Sequence, residues 1–326
     1  MAIADRIVSA FGIEQGCVVL LLLRDYRVPA TFAKTYRNTI STSYNVDIDR
    51  GRVFAGANLA KTKRNIAEFD SLVDAAIGAE QFVWYTPVCS NDICSLMVTK
   101  PNCVGYYVTE DGFASYRDYN PQTFTGLRWV VYRCVLKPFF HRLFAVKNHF
   151  IETAHPKFKG CIATSERCFP LHKHCLQVVG SPFKAVMPAF EVDAVVSVDP
   201  LYQFISLTQA EEYYRQLGAF VAEKKQYKHV KYKMHPRFNA ANNAQHRREY
   251  LELVNRYLPH AEPLDSDVVL EELLAATKAD FYSCNSSVAL YAAPMGCRCY
   301  NLNCLLEGTS AFEHSSIMEE LTEKII

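Results

Sequence analysis

Two adjacent carboxylates, Glu110 and Asp111, are followed at once by Gly112. The pair comes directly after a short apolar run at 105–108, which predicts a strand. Like charges this close raise the pKa of one of the two groups, which suits a general base that takes a proton from a hydroxyl. Asp-Gly is also a common turn pair, so an ordinary solvated turn is the alternative.

A histidine, His235, ends a second predicted strand and precedes Pro236, which fixes its own φ and stops the ladder. Two lysines precede the histidine at alternate positions, and the nearer one, Lys233, shares its face of the strand. Such a histidine can hydrogen-bond a phosphate, with the lysine charge beside it. An ordinary strand end is the alternative. The same dipeptide at 155–156 lacks the alternating lysines, and we interpret it as a chance match.

Small polar side chains, Asn285, Ser286 and Ser287, occupy a third turn, where a predicted strand at 280–284 leads into a helix. A helix N-terminus offers free N–H groups and the positive end of the helix dipole, which together bind anions. The same residue types also serve as simple N-caps, which need no ligand.

These three clusters need parallel strands to position them. Strands and helices alternate along the chain, which predicts βαβ units and an α/β fold. In such sheets, ligands bind beyond the carboxyl ends of the strands. A cluster of Gly and Pro over 180–200 predicts a boundary between domains 1–190 and 191–326. The predicted strands are 17–23, 81–85, 105–108, 229–234, 280–284 and 298–302; the predicted helices are 59–77, 127–150 with a break near Pro138, 208–224 with a capping box at Thr208 and Glu211, 241–258, 267–277 and about 286–293.

Composition excludes several classes of protein. The chain has 326 residues, 50% hydrophobic and 21% charged, so it is neither disordered nor fibrous. Its 35 basic and 34 acidic residues give a net charge of +1, which argues against a polycation that coats nucleic acid. The longest apolar run, at 17–23, is too short to cross a membrane and does not resemble a signal peptide. We therefore expect a cytoplasmic protein whose 12 cysteines are mostly buried thiols.

Taken in order, the acidic pair with glycine, the His-Pro dipeptide and the serine pair resemble the motif set of bacterial sialyltransferases. These are inverting GT-B enzymes that include lipooligosaccharide sialyltransferases and capsule polysialyltransferases. The resemblance implies two Rossmann-like domains facing a central cleft, the first binding the acceptor and the second the CMP-sugar. It also implies a metal-independent reaction with no cofactor, in which CMP-sialic acid is the donor and a cell-surface glycan is the acceptor.

The resemblance assigns a role to each motif. Asp111 is expected to be the general base, with Glu110 supporting it, and His235 is expected to contact the CMP phosphate and to assist its departure. The serine pair is expected to hydrogen-bond the same phosphate. Neighbouring residues complete the expected substrate site: Gly112, Lys233, Pro236, Asn285, Ser286 and Ser287.

Two alternatives stay open. The same motifs would serve another CMP-activated sugar acid, such as pseudaminic acid, legionaminic acid or Kdo, because they contact only CMP and the acceptor proton. The fold would also suit a non-catalytic nucleotide-binding or membrane-associated scaffold. The intact acidic pair argues against the scaffold, since a protein that only binds needs no base.

Other patterns suggest metal sites. Asp-x-Asp occurs at 47–49 and 265–267, but the pattern is frequent by chance and no further oxygen ligands accompany it. Two groups of cysteines lack the Cys-x-x-Cys spacing of structural zinc sites, and we expect no metal at either. The groups are Cys161, Cys168 and Cys175 with His172 and His174, and Cys297, Cys299 and Cys304. Neither Gly-x-Gly-x-x-Gly nor a Walker A sequence is present, which argues against Rossmann dehydrogenases and P-loop enzymes.

One segment, 119–151, contains no acidic residue and mixes basic with aromatic side chains. Such a mixture suits an anionic membrane surface or an anionic glycan. The part at 127–150 is therefore predicted to give peripheral contact with the inner membrane. A helix with an aromatic core side and a solvated basic side is the alternative. The sequence leaves the oligomeric state open, with a dimer as one option.

Overall fold

The computed structural model describes residues 2–22, 36, 38–41, 56–87, 89, 92–116, 134, 140–145, 151, 153–181, 183–224, 226–239, 241–284 and 286–308. The chain divides into two compact units, Met1–Pro182 and Phe183–Ile326. The boundary predicted from the sequence lies at 190. The functions predicted for the two halves remain predictions.

The described residues of unit 1 form two parallel sheets. A four-stranded sheet has the order β3-β4-β5-β6, and β1 and β2 form a separate parallel pair. The strands are β1 Val19–Leu22, β2 Asn38–Ser41, β3 Phe82–Thr86, β4 Cys103–Thr109, β5 Phe158–Ala163 and β6 Leu176–Val178, and the α-helices are α1 Ala2–Ala10, α2 Gly56–Ile77 and α3 Asp92–Val98. Short 3₁₀ turns lie at Gln15–Cys17, Gly112–Tyr116, His141–Phe144 and Pro170–Cys175.

A network of four charged side chains connects helix α2 with two other parts of unit 1. Asp70 and Asp74 lie on α2, Lys100 follows α3, and Arg142 lies in the 3₁₀ turn His141–Phe144. Arg142 binds both carboxylate oxygens of Asp70, at 2.5 and 3.0 Å. Lys100, which is buried, lies 3.1 Å from Asp70 and 2.7 Å from Asp74. Burial alone would raise the pKa of Asp70, but hydrogen bonds from Arg142 and Lys100 and their charges lower it overall. The network lies beside an apolar cluster that includes Phe69, Val73, Leu96, Phe140 and Leu143.

Unit 2 is built on one five-stranded parallel sheet of order β11-β10-β7-β8-β9. The strands are β7 Ala194–Val198, β8 Val230–Met234, β9 Glu262–Pro263, β10 Asp280–Ser283 and β11 Cys299–Asn301, and the α-helices are α4 Leu207–Ala222, α5 Ala244–Tyr257, α6 Leu270–Thr277 and α7 Val288–Ala292. The chain runs outward from β7 to β9 and then resumes on the other side of β7. The strand order therefore reverses between β7 and β10, which is the switch point where doubly wound sheets bind ligands.

Helices α4 and α5 approach each other closely at a glycine. A Cβ added to Gly218 would lie 2.2 Å from the carbonyl oxygen of Tyr257. Because that oxygen belongs to the backbone, it cannot move aside as the end of a flexible side chain would. The glycine thus allows the two helices to cover the core of unit 2.

Helix α4 begins two residues earlier than the sequence suggested. The capping box is formed by Ser206 and Gln209, and each side chain bonds the other's backbone N–H. The predicted box at Thr208 and Glu211 is therefore wrong. Ser206 is the residue with extended φ and ψ, which an N-cap requires.

Most of the other helices and strands predicted from the sequence are confirmed in both units, and their ends differ from the prediction by a few residues. The sequence did not predict α1, α3, β2, β5, β6, β7 or β9, and β7 lies inside the 180–200 region that was interpreted as a boundary. The predicted helix at 127–150 lies outside the described residues except at 134 and 140–145, where His141–Phe144 form a 3₁₀ turn. Leu143 in that turn and Phe140 just before it are core residues.

The charge network predicts a measurable loss of stability. Asp70→Asn removes the partner of Arg142 and one partner of buried Lys100, so we expect the free energy of unfolding to fall by about 1–3 kcal/mol. Asp74→Asn is the matched control, because Asp74 also binds Lys100 but is 59% exposed, so water can replace much of what its carboxylate contributes. Urea denaturation at neutral pH measures both. Equal losses in the two variants would contradict the assigned role of Asp70.

The same network predicts a dependence on pH. The pKa of Asp70 is lower in the folded chain than in the unfolded one, so its contribution to stability is complete at neutral pH. That contribution is lost as the pH falls through the lowered pKa. In Asp70→Asn this part of the acid destabilisation should be missing.

Candidate functional site

In unit 1 a buried carboxylate joins the ends of two neighbouring strands. Glu110 follows β4 and is 3% exposed. Its Oε2 accepts the N–H of Thr164, at 2.7 Å, and the Thr164 hydroxyl, at 2.6 Å. Its Oε1 accepts the hydroxyl of Tyr116 at 3.0 Å. Because Thr164 follows β5, the carboxylate fixes the end of β4 to the end of β5.

Next to this anchor, Asp111 is exposed. Its N–H donates to the hydroxyl of buried Ser115 at 2.6 Å, which closes the turn. Gly112 opens the turn with a φ of +50°, in the left-handed region that favours glycine. The predicted turn is therefore present, and it presents one carboxylate outward while the other is held inside.

A thiol faces the buried carboxylate. Cys168 is fully buried, and burial together with the negative charge of Glu110 raises the pKa of Cys168 to about 12. At neutral pH the group is therefore a neutral thiol, which adds no second negative charge beside Glu110.

In unit 2, His235 comes directly after β8, and its N–H donates to the carbonyl of Val198, at the end of β7, at 3.1 Å. Its ring Nδ1 accepts the N–H of Arg237 at 3.1 Å. That bond assigns the proton of the neutral ring to Nε2, which can donate to an anion. Burial lowers the pKa of His235, and the charge of Arg237 adds to this effect while Asp199 opposes it.

The second His-Pro dipeptide has the same local geometry. Nδ1 of His155 accepts the N–H of Lys157 at 3.2 Å, as Nδ1 of His235 does from Arg237. The ring-to-backbone bond is thus a property of the His-Pro turn and does not mark a ligand. The difference is position, because His155 precedes β5 while His235 follows β8. Only the latter lies at the carboxyl edge of a sheet.

The structure gives Lys233 a role that the sequence did not predict. Its ammonium donates to three backbone carbonyls of the turn before α6, those of Asp265, Ser266 and Val268. An ammonium has three N–H groups, so these bonds use all of them. Burial lowers the pKa of Lys233, which the nearby acidic side chains partly offset. Lys233 is therefore a structural contact, and it is left out of the phosphate site proposed for this unit.

The serine pair lies between β10 and α7. The Ser286 hydroxyl accepts the N–H of Val288 at 3.4 Å, longer than an ordinary cap. Ser287 is the N-cap residue of α7, but its side chain makes no capping hydrogen bond. Ser286 thus makes one long capping contact, and the Ser287 side chain makes none. The predicted contact Asn285 lies outside the described residues, and Pro236 is exposed at the start of the 3₁₀ turn Pro236–Asn239.

Between His235 and the serine pair lies the end of β7, which carries Asp199. Neighbouring strands are spaced about 4.8 Å apart, so the ends of β8 and β10 are about 10 Å apart with β7 between them. Asp199 is 3% exposed and was missed in the sequence, where Asp199-Pro200 was interpreted as part of the domain boundary. The run of apolar and β-branched residues before it, 194–198, is the signal that identifies a buried strand.

Of the two Asp-x-Asp sequences that suggested a metal, only the second lies among the described residues. The side chain of Asp265 accepts the N–H of Asp267 at 3.1 Å, so Asp265-Ser-Asp267 forms a local turn. The sequence at 47–49 lies outside the described residues. Within the described ranges no three His, Cys, Asp or Glu side chains are grouped to hold a metal ion. All twelve cysteines are described, and none forms a disulfide.

Neither a protein-family model nor a curated protein significantly matches this chain. Among the helices that the structure describes, none is both long and apolar enough to cross a membrane.

The contacts of Glu110 predict an energetic coupling with Thr164. Thr164→Val removes the hydroxyl donor and keeps the size, and Glu110→Gln removes the charge. In a double-mutant cycle measured by urea denaturation, we expect a coupling energy of about 0.5–3 kcal/mol. Its cause is the charge-assisted hydrogen bond of 2.6 Å.

Ser165→Ala is the control for this cycle. The Ser165 hydroxyl accepts the N–H of Arg167, and its removal leaves the bond between Thr164 and Glu110 in place, so we expect this substitution to be additive with Glu110→Gln. Additivity between Thr164→Val and Glu110→Gln would disprove the anchoring role of Glu110.

Proposed function

We propose that the protein is an inverting, metal-independent glycosyltransferase that moves sialic acid from CMP-sialic acid to a hydroxyl of a cell-surface glycan. One observation carries the proposal: His235 and the Ser286–Ser287 turn follow strands on either side of β7, at the switch point of a doubly wound parallel sheet. That is where such sheets bind nucleotides. The resemblance of the motifs to bacterial sialyltransferases adds the identity of the nucleotide and the sugar.

The proposed phosphate site in unit 2 uses neutral donors. The leaving group is a phosphate, whose negative charge grows as its bond to the sugar breaks. Nε2–H of His235 and the hydroxyls of Ser286 and Ser287 supply donors for that charge. Donors that are already oriented stabilise such charge best, because they need no rearrangement during the reaction.

The proposed base in unit 1 is Asp111. Its carboxylate takes the proton of the acceptor hydroxyl while the hydroxyl oxygen attacks the anomeric carbon of the sugar. In the same step the bond from that carbon to the phosphate oxygen breaks, and CMP leaves with the electron pair. Attack opposite to the leaving group inverts the anomeric centre. The exposure of Asp111 and the anchoring of Glu110 support this division of work.

The proposal includes a GT-B arrangement of the two units, with the acceptor bound by the first and CMP by the second. It also includes peripheral contact with an anionic membrane through 127–150, which rests on the acid-free sequence of that segment.

The donor assignment predicts selective stabilisation by CMP. At a CMP concentration 100 times its Kd, the folded state gains about 2.7 kcal/mol, so the melting temperature should rise with CMP and not with UDP or GDP. His235→Ala should reduce the shift, since it removes the Nε2 donor. His155→Ala is the matched control, because it disrupts the same ring-to-backbone bond outside the carboxyl edge.

A shift of equal size with all three nucleotides would overturn the choice of CMP. Equal losses in His155→Ala and His235→Ala would overturn the proposed site.

The base assignment predicts that Asp111→Ala lowers the rate of sialic acid transfer by about 10²–10⁴-fold and leaves CMP binding intact. The assay follows CMP release with acceptor present and EDTA in the buffer. Glu166→Ala, which removes another exposed carboxylate of unit 1, should leave the rate unchanged. Loss of CMP binding in Asp111→Ala would assign that residue to the donor, and loss of wild-type turnover in EDTA would contradict metal independence.

The same assay separates the alternatives. Turnover with CMP-activated pseudaminic acid, legionaminic acid or Kdo, but not with CMP-sialic acid, would change the sugar and keep the mechanism. CMP binding without turnover of any donor would favour the non-catalytic scaffold.

A further inference from the structure

A second buried carboxylate, Asp199, lies at the centre of the carboxyl edge of unit 2. It follows β7, the middle strand of the sheet, and is 3% exposed. Its Oδ1 accepts the hydroxyl of Ser197 at 2.8 Å, and its Oδ2 accepts the N–H of Cys284 at 2.8 Å. Burying a carboxylate is costly unless hydrogen bonds compensate, so these bonds are needed to keep Asp199 in place.

On one side, Asp199 holds the turn that carries the serine pair. Cys284 is the first residue after β10, and Ser286 and Ser287 follow it within three positions. The bond from its N–H therefore fixes the start of that turn to the end of β7. The two residues it connects are 85 positions apart along the chain.

On the other side, Asp199 acts on His235. The carbonyl of Val198, the residue before Asp199, accepts the N–H of His235. Burial has the largest effect on the pKa of His235 and lowers it; among the charges of the described residues, Asp199 raises this pKa and Arg237 lowers it. Asp199 is thus the charge that favours the protonated ring.

Three other described groups that respond to the charge of Asp199 are neutral at physiological pH. They are Tyr213, Tyr214 and Cys284, and burial raises the pKa of each well above its usual value, with Asp199 adding to the effect. None of them supplies a positive charge that would cancel the carboxylate. Its influence on His235 is therefore undiminished by these neighbours.

We propose that Asp199 is the positioning residue of the phosphate site, which holds the serine turn through the Cys284 N–H and sets the electrostatic environment of His235. That the site holds a phosphate rests on the function proposed above. Asp199 is 3% exposed, so we assign its action to the two elements on either side of it.

Two variants separate its geometry from its charge. In Asp199→Asn the amide oxygen can accept from Cys284 and the amide N–H can donate to Ser197, so both bonds are kept and only the charge is lost. Asp199→Ala removes the charge and the acceptor of the Cys284 N–H. The matched control is Asp280→Asn, at the opposite end of β10, where a carboxylate that is 2% exposed binds Arg298 and Tyr227.

Three measurements apply to each variant. The titration of the His235 ring and the chemical shift of the Cys284 amide are followed by NMR, and the Kd for CMP is followed by calorimetry. We expect Asp199→Asn to lower the pKa of His235 and to keep the Cys284 amide shift and the Kd close to wild type. We expect Asp199→Ala to shift the Cys284 amide and to weaken CMP binding by about tenfold, since the serine turn is released.

Asp280→Asn should change neither the His235 titration nor the Kd. An unchanged His235 titration in Asp199→Asn, or wild-type CMP affinity in a folded Asp199→Ala, would overturn the proposal. If Asp199→Ala does not fold, the titration of the His235 ring in Asp199→Asn still tests the proposal. If wild type does not bind CMP, the proposed function fails, while the His235 and Cys284 signals continue to test Asp199 independently.

Discussion

A carboxylate that is buried at the end of a parallel strand has to find hydrogen-bond donors on the neighbouring strand ends, and each unit of this chain is organised around one. Glu110 follows β4 and takes donors from Thr164 after β5. Asp199 follows β7 and takes a donor from Cys284 after β10. In both units the buried carboxylate is an interstrand connection, and its loss would leave backbone N–H groups unpaired.

Each buried carboxylate has a more accessible group beside it. Asp111 is exposed next to Glu110, and half-buried His235 lies next to the strand that Asp199 ends. In the proposed function this pairing separates two roles, because an anchor needs full hydrogen bonding and a reactive group needs access to a ligand. The adjacent acids at 110–111 thus lie in different environments, one buried and the other exposed, although their chemistry is the same.

The sequence predicted what depends on local pattern. The strand before the serine pair was found because an apolar run ends at a polar turn, and the strand before His235 because it alternates lysines with apolar residues and stops at a proline. It could not predict the partners of Glu110 and Asp199, which lie 54 and 85 residues away and are joined only by the sheet. For the same reason Lys233 was assigned to a ligand: its three carbonyl partners lie in a turn more than 30 residues later.

The strand order of unit 2 also bears on how the chain folds. β7 is synthesised first but acquires its partner β10 only after β8 and β9 have been made, because β10 returns to its other side. Until then one edge of a fully buried, apolar strand has no partner, and open edges of this kind pair with other chains. Contacts over so long a separation also slow folding. A nascent chain that ends before β10 therefore exposes an edge that is prone to aggregation, and the closing of that edge coincides with the formation of the Asp199–Cys284 bond.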